Sequence, residues 1–488
     1  MCLANCGLPF AAQAANRVTV AEVIGMYPVP ALIADIGSIS HSTDPLVIRR
    51  KSRDRYAISP LLRERLQGKF ADIVVTPATK DELVRVVASA TRHRIPITAR
   101  GGGTANYGQS VPLRGGILLD MTELAGVLWV RPGAIRALAG TIVGDMDDAA
   151  RQTGWEVRIF PTTRQTATIA GFIAGGTGGI GSARWGVLRD RGNIYAVEIL
   201  TAEEEPKFIE LRGARTGLAH HGYGANCIIT EVEMPLAHAW EWRETIVAFP
   251  TYMQAVKCGV LLGNTPGIVT KLLSIHEWPT PRLIQPLVGI VPPDYSMLSS
   301  YVAYPSAADF DEAVAQFGGT VVAAASEGKG AYGIPLYEMA FGHALAQIQK
   351  TEPDRTAIEG FFHTDDLVDL VGRVHHKLNG VGPLRLELRR WGNRLAGSGS
   401  PYVRFENEAQ LERVAQIMQS EGAGVANSHA SSVRGVGKKD VTAEDIAFKR
   451  MCDPYGLLNP GRFELDDADD DRSGASLPVD AWVARRGV

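Results

Sequence analysis

Two glycine-rich segments hold the residue types best suited to gripping an anion. The first is Arg100-Gly101-Gly102-Gly103-Thr104-Ala105-Asn106-Tyr107-Gly108-Gln109. The second runs from Ile169-Ala170-Gly171 through Gly175-Gly176-Thr177-Gly178-Gly179-Ile180-Gly181-Ser182. Without a Cβ, successive backbone N–H groups converge on negative charge and positive φ is allowed. Together the two segments suit one extended guest that carries a pyrophosphate.

The elements around the first loop follow from local pattern. Asp72-Ile73-Val74-Val75-Thr76-Pro77 reads as a short buried strand. Thr79, with Glu82 three residues on, opens a helix as a capping box, and Leu83, Val86, Val87 and Ala90 give it one apolar face. Ile95-Pro96-Ile97-Thr98-Ala99 is a second strand leading into the glycines. Residues 111–116 are turn chemistry, and Ile117-Leu118-Leu119-Asp120-Met121 is another buried strand. The order strand, loop, strand leaves loop amides, and no helix N-terminus, to hold the anion.

The second segment contains two decoys. Gly176-x-Gly178-x-x-Gly181 matches the dinucleotide fingerprint, with Glu198 downstream, but Ser182 to Gly192 is interrupted by glycine where an amphipathic helix is required. The uncharged run from Gln165 to Ala183 has the length of a membrane span, yet six of its residues are glycine and three are threonine. A spanning helix needs about 20 predominantly apolar residues, so this run is expected to be buried loop and turn.

Arg100-Gly101-Gly102-Gly103-Thr104, Thr168-Ile169-Ala170-Gly171, Ser182-Ala183-Arg184-Trp185-Gly186 and Asp453-Pro454-Tyr455-Gly456-Leu457-Leu458-Asn459-Pro460-Gly461 occur in that order. The chain thereby resembles the FAD-linked oxidoreductases of the vanillyl-alcohol oxidase and p-cresol methylhydroxylase type, nearest their glycolate oxidase and D-lactate dehydrogenase branch. The resemblance spans roughly residues 68 to 465, strongly in the first part and weakly between 240 and 420. It implies an α+β fold: a two-part FAD-binding domain of the vanillyl-alcohol oxidase type under a ferredoxin-like α/β cap. It places Arg100, Gly101, Gly102, Gly103, Thr104, Asn106, Tyr107, Gly108 and Gln109 on FAD. Pro161, Thr162, Thr163, Thr166, Ile169 and Gly171 would line the flavin and its ribityl chain, with Gly181 and Trp185 beside them. Ile228 or Ile229 would face the adenine, and Asn459 would approach the isoalloxazine. Each position has a plainer use: Gly171 as close helix packing, Ile229 as strand core, Asn459 as a turn former before Pro460.

Two departures from the family stand out. Residues 101–110 contain no histidine for covalent attachment, so FAD is expected to be non-covalent. The Gly-Asp-Gly-Asn run that accompanies a divalent ion in the D-2-hydroxy-acid branch is also absent. His375 and His376 are adjacent on the helix expected over Asp366–Leu378 and point apart, His220-His221 fall in a glycine-flanked turn expected to be solvated, and no metal is expected.

The resemblance makes His429, in Asn427-Ser428-His429-Ala430-Ser431, the candidate base for an O–H proton, since imidazole titrates near neutrality. If the substrate is a carboxylate, Arg389, Arg390 or Arg404 offers a bidentate partner. Arg389-Arg390 also read as surface residues at a strand end, and Arg404 faces either water or the cleft. Trp278, Tyr332, Tyr337 and Trp391 offer a phenolic pocket, or core. The expected function is hydride transfer from the CH–OH group of a 2-hydroxy acid or other alcohol to flavin. The alternatives are a phenolic or aryl alcohol oxidase, and a flavin-binding subunit without turnover.

Composition fits this. The 488 residues exceed what one core supports. The expected division is 1–67 leader and first helices, 68–237 FAD domain, 238–425 cap, 426–465 return to the FAD domain, and 466–488 acidic tail. Arg49-Arg50-Lys51 and Arg53 with Asp54 read as surface contacts. A net charge of −3 without a basic stripe makes nucleic acid an improbable partner. Five scattered cysteines argue for reduced thiols and a cytoplasmic location. Met1 to Ala15 lacks the positive start of a secretory signal and reads as a disordered leader. Small-molecule substrate and an electron acceptor (oxygen, a quinone or a redox protein) are the expected partners, with no transmembrane segment.

Overall fold

The computed structural model describes residues 27–328 and 333–463. The expectations for Met1 to Ala15, Cys2, Cys6, Tyr332 and the acidic tail lie outside these residues.

The first glycine loop hangs from a small sheet. Ile73–Val75, Ile117–Asp120 and Ile97–Arg100 pair in parallel, and His41–Ser42 adds an antiparallel edge. The helix Lys80–Arg92 begins where expected, with Thr79 Oγ1 accepting the Glu82 amide at 3.2 Å. Its apolar face, Leu83, Val86, Val87 and Ala90, is wholly buried and meets an earlier helix, Val29–Ile36, through Leu32 and Ile36.

A second, antiparallel sheet is built on the long strand Ile228–His238. Ala134–Leu138, Ala196–Leu200 and Trp155–Val157 pair with it, and Val127–Arg131 and Phe208–Arg212 flank these. Ala196–Leu200 and Phe208–Arg212 form an antiparallel hairpin at its edge. The run from Gln165 to Ala183 is not all loop. Thr168 Oγ1 accepts the Gly171 amide and starts the helix Ile169–Gly175, so a cap and small residues make two turns where glycine content suggested none.

From residue 242 the chain forms a nine-stranded antiparallel sheet. Its first half is β1 (Trp242–Phe249), α1 (Tyr252–Gly263), β2 (Thr270–His276), β3 (Ser296–Ala303), α2 (Ala307–Gln316) and β4 (Thr320–Ser326). The spatial order β4-β1-β3-β2 is the ferredoxin-like βαββαβ arrangement. The same motif then repeats as β5 (Glu359–Phe362), α3 (Leu367–Lys377), β6 (Leu384–Trp391), β7 (Arg394–Arg404), α4 (Glu408–Ser420) and β8 (Gly424–Ala426), in the order β6-β7-β5-β8. The two halves join where β2 pairs with β6, and Arg355–Ala357 extends β7. The C-terminal segment then returns to the first sheet, Ile97 donating to Leu457 and Asn459 donating to Ile97, both at 2.8 Å.

Candidate functional site

A deep cavity runs between the glycine loops and the second half of the cap sheet. Its floor is the first loop. Gly103 has φ +65°, open to glycine at little cost. A Cβ on Gly102 would stand 1.9 Å from the Thr166 carbonyl oxygen, so the loop lies flush against the Thr163–Thr168 segment. Among the described residues, no protein acceptor takes the amide N–H of any residue from Gly101 to Asn106, nor those of Thr162, Thr163, Thr177 and Gly178. Arg100 Nε and Ser110 Oγ beside them are buried without partners. Buried or half-buried donors left open in such numbers call for an external acceptor. A diphosphate-bearing cofactor such as FAD supplies one, so the residues present fit that group.

Of the residues expected on FAD, Arg100, Gly101, Gly102, Gly103, Thr104, Asn106, Tyr107, Gln109, Pro161, Thr162, Thr163, Gly171 and Ile229 line the cavity. Ile228 and Ile229 are consecutive on a strand and point to opposite faces, and Ile229 is the one that reaches it. The remainder act behind it. Thr166 braces Gly102. Ile169 is core, its amide donating to Thr141. Gly181, at φ +101°, sits against the Arg158 carbonyl, and Gly108 against Leu66. Trp185 lies under the Arg158 guanidinium. Asn459 is fully buried, and its Nδ2 donates to the carbonyls of Gln109 (2.8 Å) and Tyr223 (2.7 Å). It clamps the loop from below and does not face the cavity as expected.

Other expectations are corrected by burial. Asp54 is no surface contact: its carboxylate accepts the Tyr56 amide at 2.9 Å, and burial raises its pKa to about 6. A carboxyl whose pKa rises on folding favours the native state at low pH and loses that contribution as pH rises from about 4 to about 6. The stability advantage of the wild type over Asp54→Asn, by urea unfolding, is expected to shrink across that window and stay level above it. His220 and His221 are buried, not solvated. The His221 amide donates to Ile173 and its ring meets Tyr223, which keeps both histidines under the helix Ile169–Gly175.

The cap contributes a charged wall that sequence reading only partly located. Arg385, Glu387 and Arg389 alternate on one face of β6 between Leu384, Leu386 and Leu388, and all three are buried. Arg389 was a candidate, and its surface reading fails: it lies over Phe361, and burial lowers its pKa to about 10. Arg385 donates to Ser400 Oγ at 3.0 Å, while its Nε and Nη1 have no hydrogen-bond partner and Glu387 stands 3.6 Å away. Tyr402, in the same wall, has an unpartnered hydroxyl. Arg404 faces water, paired with Asp354 (2.6 Å) and Glu352 (3.0 Å), and does not reach the cavity. Arg390 donates to Gly263. Trp278, Tyr337 and Trp391 do not line the cavity either.

Where cap, glycine loop and C-terminal segment meet, Lys438 Nζ lies 2.5 Å from both Glu359 Oε2 and the Tyr107 hydroxyl. Lys438 and the nearby Arg389 hold the Glu359 carboxyl down at about 2 against its burial, while burial raises Tyr107. Arg385, Arg389 and Lys438 against Glu359 and Glu387 leave this end of the cavity with excess positive charge.

His429 lines the cavity beside Ser59, whose Oγ is 2.8 Å from its Nδ1. Burial lowers the imidazole to about 4, with the Ala357 backbone opposing that shift; the expectation of titration near neutrality is not met. His343 in the same wall is also lowered to about 4 by burial and the Arg55 charge. Ser59, Glu359, Arg385, Tyr402 and Lys438 were missed by sequence reading. The one local signal was a strand with charges at every second position among leucines.

Residues 71–206 match the family described as FAD binding domain. The chain is 23% identical over 436 residues to the glycolate oxidase subunit GlcD of Bacillus subtilis, covering 81% of this chain and 90% of that protein. It is 28% identical over 214 residues to the D-lactate dehydrogenase of Archaeoglobus fulgidus, 41% of this chain and 46% of that one. A solved alkyldihydroxyacetonephosphate synthase shares the fold with a TM-score of 0.65 at 15% identity, covering 94% and 90% of the two chains. Among the described residues no helix is long and apolar enough to cross a membrane. With its unpaired loop amides, its doubled ferredoxin-like cap and these relatives, the chain carries an FAD binding domain with FAD as its cofactor and is similar to FAD-linked oxidoreductases of the vanillyl-alcohol oxidase and p-cresol methylhydroxylase type.

Proposed function

We propose that this protein oxidises a small 2-hydroxy acid to the 2-oxo acid. Bound FAD supplies the hydride acceptor for the carbinol C–H. The chain's own residues do the rest: the loop from Gly101 to Asn106 holds the pyrophosphate without a covalent link, Arg385 and Arg389 receive the substrate carboxylate, and His429 stands at the reacting oxygen. The observation that carries this is the Arg385 guanidinium, buried in the cavity wall with Nε and Nη1 open. A buried guanidinium with N–H groups still unspent on more than one nitrogen matches a carboxylate, and the excess positive charge matches a monoanion. The names of the glycolate oxidase and D-lactate dehydrogenase relatives support the same class. A phenolic substrate finds less support, because Trp278, Tyr337 and Trp391 do not line the cavity.

The domain division is proposed as 68–237, 238–425 and 426–465, and the location as cytoplasmic. The latter is supported by the buried free thiols of Cys227, Cys258 and Cys452. The acceptor is oxygen, a quinone or a redox protein.

Anaerobic mixing of the flavin-loaded protein with the two enantiomers of lactate, with glycolate, and with matched alcohols lacking the carboxylate tests the reading. Bleaching of the flavin's visible absorption by hydroxy acids and not by the neutral alcohols is the expected result. Bleaching by neutral or aryl alcohols alone would overturn it, and no bleaching by any of them would favour a subunit without turnover. Readmitting oxygen, then a quinone, identifies the acceptor.

A further inference from the structure

We propose that Tyr402 is a second substrate-binding residue of the cap, its phenolic O–H donating to the same carboxylate that Arg385 receives. This rests on the hydroxy-acid function proposed above and adds to it the partner that closes the anion site.

Strand pairing brings the two side chains together. Arg385 of β6 stands directly opposite Ser400 of β7, whose Oγ accepts from Nη2 at 3.0 Å. Paired residues share a face and successive residues alternate. Tyr402, two beyond Ser400, therefore lies diagonally across from Arg385 on the same face, while Val403 turns into the cap core. Diagonal neighbours are ~7–8 Å apart at the backbone, a gap that an aromatic and a long side chain close. The Tyr402 backbone is held on both sides, its amide donating to Pro383 at 2.9 Å and its carbonyl accepting from Arg355 at 2.7 Å. The ring thus has a fixed origin beside the guanidinium.

The hydroxyl is the unspent group. Tyr402 is 1% exposed and belongs to the cavity lining, yet among the described residues its hydroxyl has no hydrogen-bond partner. Buried tyrosine hydroxyls ordinarily have one. Burial keeps the phenol protonated at pH 7, with the Arg385 charge opposing that shift. The group is therefore a donor and leaves the substrate's hydroxyl proton to another acceptor. Beside it, Arg385 Nε and Nη1 also make no hydrogen bond. A carboxylate offers about four lone-pair sites, so a guanidinium edge and a phenolic O–H can share one. A single bound carboxylate then satisfies donors from two strands that no protein group serves, and a neutral alcohol satisfies neither.

The test is titration of the flavin-loaded wild type, Tyr402→Phe, Arg385→Met and the double variant with pyruvate, followed by the change in flavin absorption. Steady-state kinetics on the hydroxy acid that bleaches the wild type fastest accompany it. Phenylalanine keeps the ring in the wall and removes one oxygen. Tyr402→Phe is expected to weaken pyruvate binding about tenfold or more, the worth of a hydrogen bond to a charged group, and to raise KM more than it lowers kcat. Neutral alcohols should lose far less. In the Arg385→Met background the same replacement should cost about threefold or less, because both donors serve one anion. Unchanged pyruvate binding in Tyr402→Phe, equal losses for charged and neutral substrates, or losses that multiply in the double variant overturn the proposal. Weakened pyruvate binding in a protein whose flavin no hydroxy acid bleaches keeps the anion site and sinks the function proposed above. A wild type that neither binds pyruvate nor reacts with hydroxy acids overturns both.

Discussion

Replacing Arg385 by methionine in the flavin-loaded protein is expected to cut kcat/KM for 2-hydroxy acids by about 30-fold to several thousand-fold, the kinetic equivalent of ~2–5 kcal/mol. Arg385 is 5% exposed, Ser400 anchors Nη2, and Nε and Nη1 make no hydrogen bond, Glu387 standing 3.6 Å from Nη1. Its orientation is therefore fixed before a substrate arrives, and the edge that the second Nη2 proton shares with a neighbouring N–H is left for a carboxylate. Lysine at this position keeps the charge and loses the fork, so Arg385→Lys should fall between wild type and methionine. The contrast that matters is between substrates. An alcohol without a carboxylate cannot use the fork, and its slow oxidation should change little in Arg385→Met. Arg404→Met, at a surface ion pair with Asp354 and Glu352, should leave both rates near wild type. Equal losses for charged and neutral substrates would mean that Arg385 supports the fold of the wall and not recognition.

The parts of this arrangement that were readable from the chain are those set by neighbours in sequence. The glycine loop between Ile97–Arg100 and Ile117–Asp120 was legible because clustered glycine and flanking apolar runs are local demands of backbone geometry. The helix Lys80–Arg92 was legible from cap and period. The second ferredoxin-like half was not, because its strands β5 and β8 are three to four residues long and carry little alternation. The site beyond the cofactor loop was least legible. Ser59, Tyr107, Glu359, Arg385, His429 and Lys438 come from both ends and the middle of the chain, and no spacing links them. Burial also reversed several readings. Asp54, Arg389, His220 and His221 look like surface residues in sequence because polar side chains usually are, and the packing that encloses them is made by distant segments. Asn459 shows the converse: its motif was found correctly, but only tertiary contacts reveal that its amide serves the Gln109 and Tyr223 carbonyls.

Glu359→Gln is expected to destabilise the protein by ~3–5 kcal/mol, read by urea unfolding at pH 7, because it strands a buried ammonium. Lys438 is 6% exposed in its side chain, and the Glu359 carboxylate is its counter-ion at 2.5 Å; a neutral amide cannot replace that charge. Lys438→Met strands the carboxylate instead and should cost a similar amount. The double variant Glu359→Gln with Lys438→Met removes both charges, so its loss should be well below the sum of the two, leaving a coupling of about 2 kcal/mol or more. The sign of the pH dependence follows from the carboxyl being held at about 2, below its ordinary 4.5. Such a group contributes fully above its unfolded value and loses that contribution as pH falls from about 5 toward 2, so the advantage of wild type over the double variant should fade across that range and not above it. The pair joins three segments at the cavity, the cap through Glu359, the glycine loop through Tyr107 and the C-terminal return through Lys438. Flavin content should therefore drop in both single variants and recover in part in the double. Single variants costing less than about 1 kcal/mol, the range of solvated surface pairs, would mean that water reaches the pair and that it does not hold these segments together.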